Sequence, residues 1–270
     1  LATIGVFSRS GVDGYANNPM SDCLRADVAA SLRPAALFGG DTLHWRAWEG
    51  LYAAVRDGHT AFDHVHGKPL FAALADQPEL AATFQGLMAG GADYNAAILD
   101  ACDLERARLL VDVGGGHGEL ARAALQRWPG LRAVVADRQD VVASQADTDR
   151  LSFVAADFFD TLPAGGDCYL LRFILHDWDD APAAAILRTC RRAMRPGARL
   201  LVIEHLLAEQ GGSTAALLDV SMMVLTGGRE RSQRAYGALF LAAGFALERA
   251  VPTDGGLAVL AGVALAEKTL

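Results

Sequence analysis

The chain has 270 residues, 52% of them hydrophobic, and a formal net charge of −8. That is apolar material for one large domain or two modest ones, which excludes disorder as the main state, and the acidic balance excludes a chain that wraps nucleic acid through surplus lysine and arginine. Cys23, Cys102, Cys168 and Cys190 lie far apart without a C-x-x-C pair, so they read as reduced thiols of a cytoplasmic protein and not as zinc ligands.

The opening run Leu1 to Phe7 lacks the basic-then-apolar layout of a signal peptide and reads as the middle of a domain, so residues upstream of Leu1 are expected to be missing. Ser8 to Asn18, with Gly11, Asp13-Gly14 and Asn17-Asn18, is turn-rich and predicts one small hairpin. Helical apolar spacing follows, first in Leu43, Trp45, Trp48, Leu51 and Tyr52, then in Leu80, Phe84, Leu87 and Met88. Residues 1–100 are therefore expected to be mainly helical, and 101–270 to form a second unit.

In that second unit β-rich runs at Leu109 to Val113, Ala133 to Ala136, Ser152 to Ala155, Cys168 to Leu175, Leu200 to Glu204 and Gly256 to Ala266 alternate with helical stretches. Two of these stretches are Leu120 to Trp128 and Ala181 to Met194, the latter stopped by Pro196-Gly197. Alternation of this kind predicts an α/β, doubly wound, Rossmann-like fold with a parallel sheet and ligands at the carboxyl ends of its strands. No apolar run approaches the ~20 residues of a membrane span, and no internal repeat is visible.

The first strand of this unit enters Asp112-Val113-Gly114-Gly115-Gly116-His117-Gly118-Glu119. Glycines allow a tight turn and close approach of a ligand. The spacing is G-x-G-x-G and not the G-x-G-x-x-G of dinucleotide binding. Asp112 and Glu119 beside the loop disfavour a pyrophosphate and suit a cation such as S-adenosylmethionine, with its sulfonium and ammonium groups. Asp137 ends the next strand ~19 residues past Gly118, about where an acid accepts from a ribose diol. After the third strand, Phe158 offers a face for an adenine ring and Asp157 an acceptor for its amino group, while Phe159 is assigned to the core.

Over nearly its whole length the chain resembles the S-adenosylmethionine-dependent small-molecule O-methyltransferases of the plant caffeate and acetylserotonin type, with their bacterial antibiotic-tailoring relatives. The resemblance rests on "DVGGGHGEL" (112–120), "AADFFDTLPAGGDCYLLRFILHDWDD" (155–180), "RPGARLLVIEHLL" (195–207) and "LTGGRERSQRAYGALFLAAGF" (225–245), and in the first half on "WRAWEGLYAAVRDGHTAFDHVHGKPLF" (45–71). It implies a class I methyltransferase domain preceded by part of a winged-helix dimerisation region, whose wing is the segment 5–22, and hence a homodimer. It also implies that Gly114 lies against the methionine part of the cofactor, Asp137 holds the ribose, and Asp157 with Phe158 holds the adenine. Asp112, Gly116, Arg138 and Arg172 complete that set, Arg172 standing where many relatives have lysine. His176 falls on the family's general base, Glu204 and Glu230 on its two flanking acids, and Met222 and Met223 in the helix lining the acceptor pocket. Phe84, Met88 and Trp45 widen that apolar pocket; Trp178 either packs or stands at its edge.

The chemistry gives His176 a reason of its own. A phenol with pKa near ~10 is mostly protonated at neutral pH, so in-line methyl transfer to it benefits from a base, and a neutral imidazole can take the proton as the oxygen attacks. The other ring nitrogen then needs an acceptor, which Glu230 or Glu204 could supply. Asp177, a neighbour on an extended backbone, is expected to point elsewhere. No third ligand accompanies His64 and His66, so no metal is expected; His117 covers the cofactor, His44 and His59 lie at the surface or pocket edge, and His205 could do either.

The reading is O-methylation of a phenolic hydroxyl on an aromatic or polyketide secondary metabolite, releasing S-adenosylhomocysteine. One alternative keeps fold and cofactor but performs hydroxylation, decarboxylation or pericyclic chemistry, a reading disfavoured by the presence of all three of His176, Glu204 and Glu230. A nicotinamide oxidoreductase is disfavoured by the glycine spacing. A DNA-binding regulator is disfavoured because residues 1–50 hold four arginines and no lysine against five acids.

Overall fold

The turn-rich opening folds as the expected hairpin: β1 (Ser8–Ser10) and β2 (Gly14–Ala16) pair antiparallel, with Ser10 opposite Gly14. It stands at the amino end of a computed structural model that describes residues 1–28, 31–89, 92–208, 214–253 and 256–266.

Eight α-helices follow among the described residues: α1 (Pro19–Asp22), α2 (Arg33–Gly40), α3 (Thr42–Ala47), α4 (Leu51–Asp57), α5 (Ala61–His66), α6 (Leu70–Ala75), α7 (Pro78–Ala89) and α8 (Ala92–Ala101). Their ends follow local chemistry. Asn18 caps α1 by accepting from Met20 and Ser21, while α4 and α5 close on Gly58 and Gly67, both with φ 71, the left-handed conformation that glycine adopts without a side-chain clash.

The second unit alternates as expected. It comprises β3 (Leu109–Val113), α9 (Glu119–Arg127), β4 (Arg132–Asp137), α10 (Gln139–Val142), β5 (Leu151–Ala155), β6 (Cys168–Arg172), α11 (Asp180–Ala193), β7 (Arg199–His205), α12 (Thr214–Leu225), α13 (Gln233–Ala242), β8 (Phe245–Pro252) and β9 (Leu257–Ala264). The sheet order is β5-β4-β3-β6-β7-β9-β8. The first five strands are parallel, but β9 runs antiparallel to both β7 and β8. The expectation of a wholly parallel sheet is corrected there. The missed strand is β8, whose exposed Glu248 and Arg249 and bulge between Leu247 and Arg249 hide its alternation at the sheet edge.

A second correction bears on the site. The run from Cys168 does not reach Leu175 as a strand. β6 stops at Arg172, Phe173 takes φ 56, the one positive value at a non-glycine among the described residues, and a single 3-10 turn spans Leu175–Asp177. A bulky residue in the left-handed region is strained, and here it swings the chain out of the sheet just before His176.

Two apolar clusters cover the two faces of the sheet. One joins Leu110, Leu120, Leu125 and Leu151, the other Val111, Leu171, Ile186, Leu187 and Phe240. The helical region has a third core of Phe38, Phe62, Leu70 and Leu74, and Val224 and Leu225 of α12 complete it. A helix of the second unit thus belongs to the packing of the first. No helix among the described residues is long and apolar enough to cross a membrane.

Candidate active site

The glycine loop turns from β3 into α9 with Gly114, Gly116 and Gly118 at φ 66, 59 and 81. Gly114 N–H donates to Ala136 O at 2.8 Å, and a β-carbon at residue 114 would collide with Ile174. Asp112 lies beneath the loop, its carboxylate 2.5 Å from where a β-carbon on Gly115 would stand. The group is buried and its Oδ2 has no hydrogen-bond donor. Burial lifts its pKa to about 7, against the opposing pull of Arg172. A buried acceptor without a donor, in a cradle without side chains, fits the ammonium of S-adenosylmethionine.

Asp137 accepts from Gly116 N–H at 2.8 Å through Oδ2 and from Arg138 N–H at 2.7 Å through Oδ1, so it fastens the loop to β4. Each oxygen keeps a lone pair for a further donor. Arg138 pairs with Asp140 and lies over the Phe71 ring. Asp157 accepts from Phe159 N–H at 2.8 Å. Phe159 is not core, as the sequence suggested: it is 37% exposed and meets Trp178 edge-on at 4.8 Å, with Phe158 5.1 Å away. Trp178 therefore packs with the phenylalanine pair instead of joining Phe84 and Met88.

His176 sits in its 3-10 turn with Nδ1 2.9 Å from Glu230 Oε1 and 3.5 Å from Glu204 Oε2. Glu204 is wholly buried near the end of β7, where its Oε1 accepts from Ile174 and Leu175 N–H at 3.1 and 2.9 Å. It braces the turn while facing the imidazole. Asp177 does not point elsewhere: its Oδ1 lies 3.8 Å from Nε2, because the turn is not extended and neighbours no longer face opposite sides. Burial alone would lower the His176 pKa, but Glu204, Asp177 and Glu230 outweigh it and raise it to about 10. Burial lifts Glu204 to about 7 and Asp177 to about 6, with His176 opposing both. The ligand atoms of His176, Glu204 and Glu230 lie within 4.8 Å of one another, a spacing that could also suit a metal ion; charge pairing and the bonds above account for the cluster.

Three contributors were not legible in sequence. Arg231, buried, donates to Leu175 O at 2.8 Å, Trp178 O at 2.7 Å and Asp180 Oδ1 at 2.9 Å, bracketing the His176 turn. Only the motif "RERS" could have drawn attention to it. Asn95 and Gln85 carried no signal, yet Arg172 donates to Asn95 Oδ1 at 2.8 Å and to Met88 O at 2.6 Å, and Gln85 lies over Gly116. Arg172 thus engages the helical region, where the resemblance implied a cofactor contact.

Phe84 packs on Phe38 and Phe71 inside the third core, and Met222 and Met223 are half-buried on α12 beside it. Trp45 is 68% exposed. His66 bonds Leu43 O through Nε2 at 2.9 Å, His205 bonds Gly256 O at 3.2 Å, and His44 is half-buried, with its Nδ1 unpartnered. A surface groove of about 760 Å3 between α13 and β8, lined by Leu206, Arg234, Gly237 and Leu241, shares no residue with this site.

A glycine loop at the carboxyl edge of such a sheet, fastened by one acid, with a histidine held between Glu204 of β7 and Glu230 of the loop between α12 and α13, defines a class I S-adenosylmethionine-dependent methyltransferase. The model of the O-methyltransferase domain matches residues 48–246, and the chain belongs to that family. It is 36% identical over 265 residues to the mitomycin biosynthesis 6-O-methyltransferase of Streptomyces lavendulae, covering 95% of this chain and 76% of that one. Among solved structures LaPhzM superposes with a TM-score of 0.91 at 36% identity, over 98% of this chain and 82% of the other. NcsB1 from neocarzinostatin biosynthesis, solved with S-adenosylmethionine and 2-hydroxy-5-methyl naphthoic acid, gives 0.84 at 31%, over 98% and 82%. The chain is an S-adenosylmethionine-dependent O-methyltransferase.

Proposed function

We propose that this enzyme methylates a phenolic hydroxyl of an aromatic or polyketide-type secondary metabolite, with His176 as general base. The observation that carries the reading is the 2.9 Å contact of His176 Nδ1 with Glu230, which favours a proton on that nitrogen, so that Nε2 is the one to take the acceptor's proton once the imidazole is neutral. The bound sulfonium supplies an activated methyl group. Nε2 takes the phenolic proton as the oxygen attacks, and Glu230 and Glu204 stabilise the imidazolium that results. The surrounding acids raise the imidazole's pKa to about 10, so the neutral form that can accept the proton grows as pH rises.

The cofactor is assigned to Asp112, Gly114, Gly116, Asp137, Arg138, Asp157 and Phe158; the acceptor to Phe84, Met88, Met222 and Met223, with residues 1–100 lining it and 101–270 carrying the chemistry. The aromatic acceptor bound to NcsB1 supports that class. A homodimer through the helical region is supported by exposed Tyr52 (75%), Val55 (67%) and Trp45, an apolar group that water disfavours. Cytoplasmic residence is supported by Cys102, Cys168 and Cys190, buried as free thiols.

Incubation with methyl-labelled S-adenosylmethionine and a panel of phenols and hydroxynaphthoic acids tests the reading by mass spectrometry. Label is expected in a methyl ether formed by wild type and lost with His176→Ala. Turnover surviving within a few-fold in that variant would remove His176 as the base.

A further inference from the structure

α7 carries residues of both chambers. Gln85 leans over the glycine loop, its Oε1 2.7 Å from where a β-carbon on Gly116 would stand, while Phe84 and Met88 are acceptor residues on the same helix. The last carbonyls of a helix have no turn beyond them to supply donors. Here Met88 O and Ala89 O both accept from Nη2 of Arg172, at 2.6 and 3.4 Å, and Nη1 of the same guanidinium donates to Asn95 Oδ1 on α8 at 2.8 Å. Arg172 is the last residue of β6, four before His176, and its charge interacts with the Asp112 carboxylate under the loop. One cation therefore joins the cofactor strands to the end of the acceptor helix, and a cation at a helix carboxyl terminus also meets the negative end of its dipole.

We propose that Arg172 is a positioning residue that latches α7 over the glycine loop, so that cofactor and acceptor chambers open and close together and S-adenosylhomocysteine leaves when the latch releases. The proposal rests on the assignment of the loop to the cofactor and of α7 to the acceptor. The fork of the guanidinium is what the latch needs, since three acceptors on two helices meet one planar group. A lysine keeps the charge near Asp112 but reaches fewer of them. Asn95 is the discriminating position, because removing its amide weakens the latch without touching the cofactor residues.

The test uses the full chain with Arg172→Lys, Asn95→Ala and the double variant, thermal melts confirming that each folds. Hydrogen–deuterium exchange on the ligand-free proteins is expected to quicken at least tenfold in the carboxyl half of α7 in both single variants, with β3 and β6 still protected. Release of S-adenosylhomocysteine, followed by stopped-flow displacement, is expected to quicken at least tenfold, and binding also to quicken, so that Kd changes less than the release rate. The double variant is expected to add nothing further. Exchange in α7 and release both within twofold of wild type in Asn95→Ala would overturn the latch. So would a weakened Kd confined to Arg172→Lys with α7 exchange unchanged, which would make Arg172 a direct cofactor ligand. Exchange is read without ligand, so failure of the latch and failure of the cofactor assignment are separate results.

Discussion

Replacing Glu230 by glutamine keeps the shape beside His176 and removes a charge. In the wild type Nδ1 lies 2.9 Å from Glu230 Oε1, and the acids around it overcome burial to raise the imidazole to about 10. A hydrogen bond to a charged group is worth ~1.5–3 kcal/mol and one pKa unit ~1.36 kcal/mol, so the variant's imidazole falls by roughly one to two units. Glu204, 3.5 Å away, prevents a full return to the ordinary value. Neutral imidazole is the form that accepts a proton, so kcat/KM of the wild type rises with pH toward about 10. In Glu230→Gln that rising limb is expected to shift down by one to two units, and the plateau to fall ~10²-fold or more because imidazolium loses its partner. The assay is kcat/KM from label transfer to a hydroxynaphthoic acid across the alkaline range. A limb that does not move, or a plateau within threefold of wild type, would refute the argument. Stability gives an independent check. Because the folded pKa of His176 is raised, its contribution is complete below ~6.5 and lost as pH rises through about 10. The deficit in Tm of the variant should therefore be largest near neutrality and shrink in alkali.

His176→Ala is expected to lower kcat by two to four orders of magnitude while leaving the calorimetric Kd for S-adenosylhomocysteine within a few-fold. Arg231→Lys withdraws donors from Leu175 O and Trp178 O, so urea melts should show a loss of about 2–4 kcal/mol together with lower kcat at unchanged cofactor affinity; a loss below ~0.5 kcal/mol contradicts the clamp. Asp112, with its pKa lifted to about 7, holds a cation better when ionised, so affinity for S-adenosylhomocysteine should improve roughly tenfold from about pH 6 to about pH 8, and this slope should vanish in Asp112→Asn. Gly116→Ala forces a side chain into φ 59 against Gln85 and should abolish cofactor binding detected by thermal shift, whereas Gly130→Ala, with open space around it, should not.

The glycine loop was legible because its chemistry is local: a strand, a tight turn and an acid at the next strand end each follow from a few consecutive residues, and the structure has Gly114 in the turn after β3, Asp137 at the end of β4 and the strand–helix alternation from Leu109 to Ala155. The missed features depend on distant partners. Phe173 looks like any strand residue, yet it takes φ 56 where the chain leaves β6 for the turn at His176. Asp177 was misplaced for the same reason, since its direction depends on a turn that the apolar run Phe173 to Leu175 conceals.

Spacing and residue type in the sequence by itself determined the class of fold and the place of the glycine loop with its flanking acids, and the motifs that carry the family resemblance pointed to His176 with Glu204 and Glu230. These are properties of neighbouring residues, or of residue types that water forces to strand ends. Tertiary structure alone decided which glutamate bonds the imidazole and which braces the turn, that Arg172 reaches α7 and α8, and that Arg231 brackets the His176 turn. Each of those contacts spans tens of residues and joins groups buried together. Their strength comes from being withdrawn from water, and no local pattern encodes which buried partner a polar group will meet.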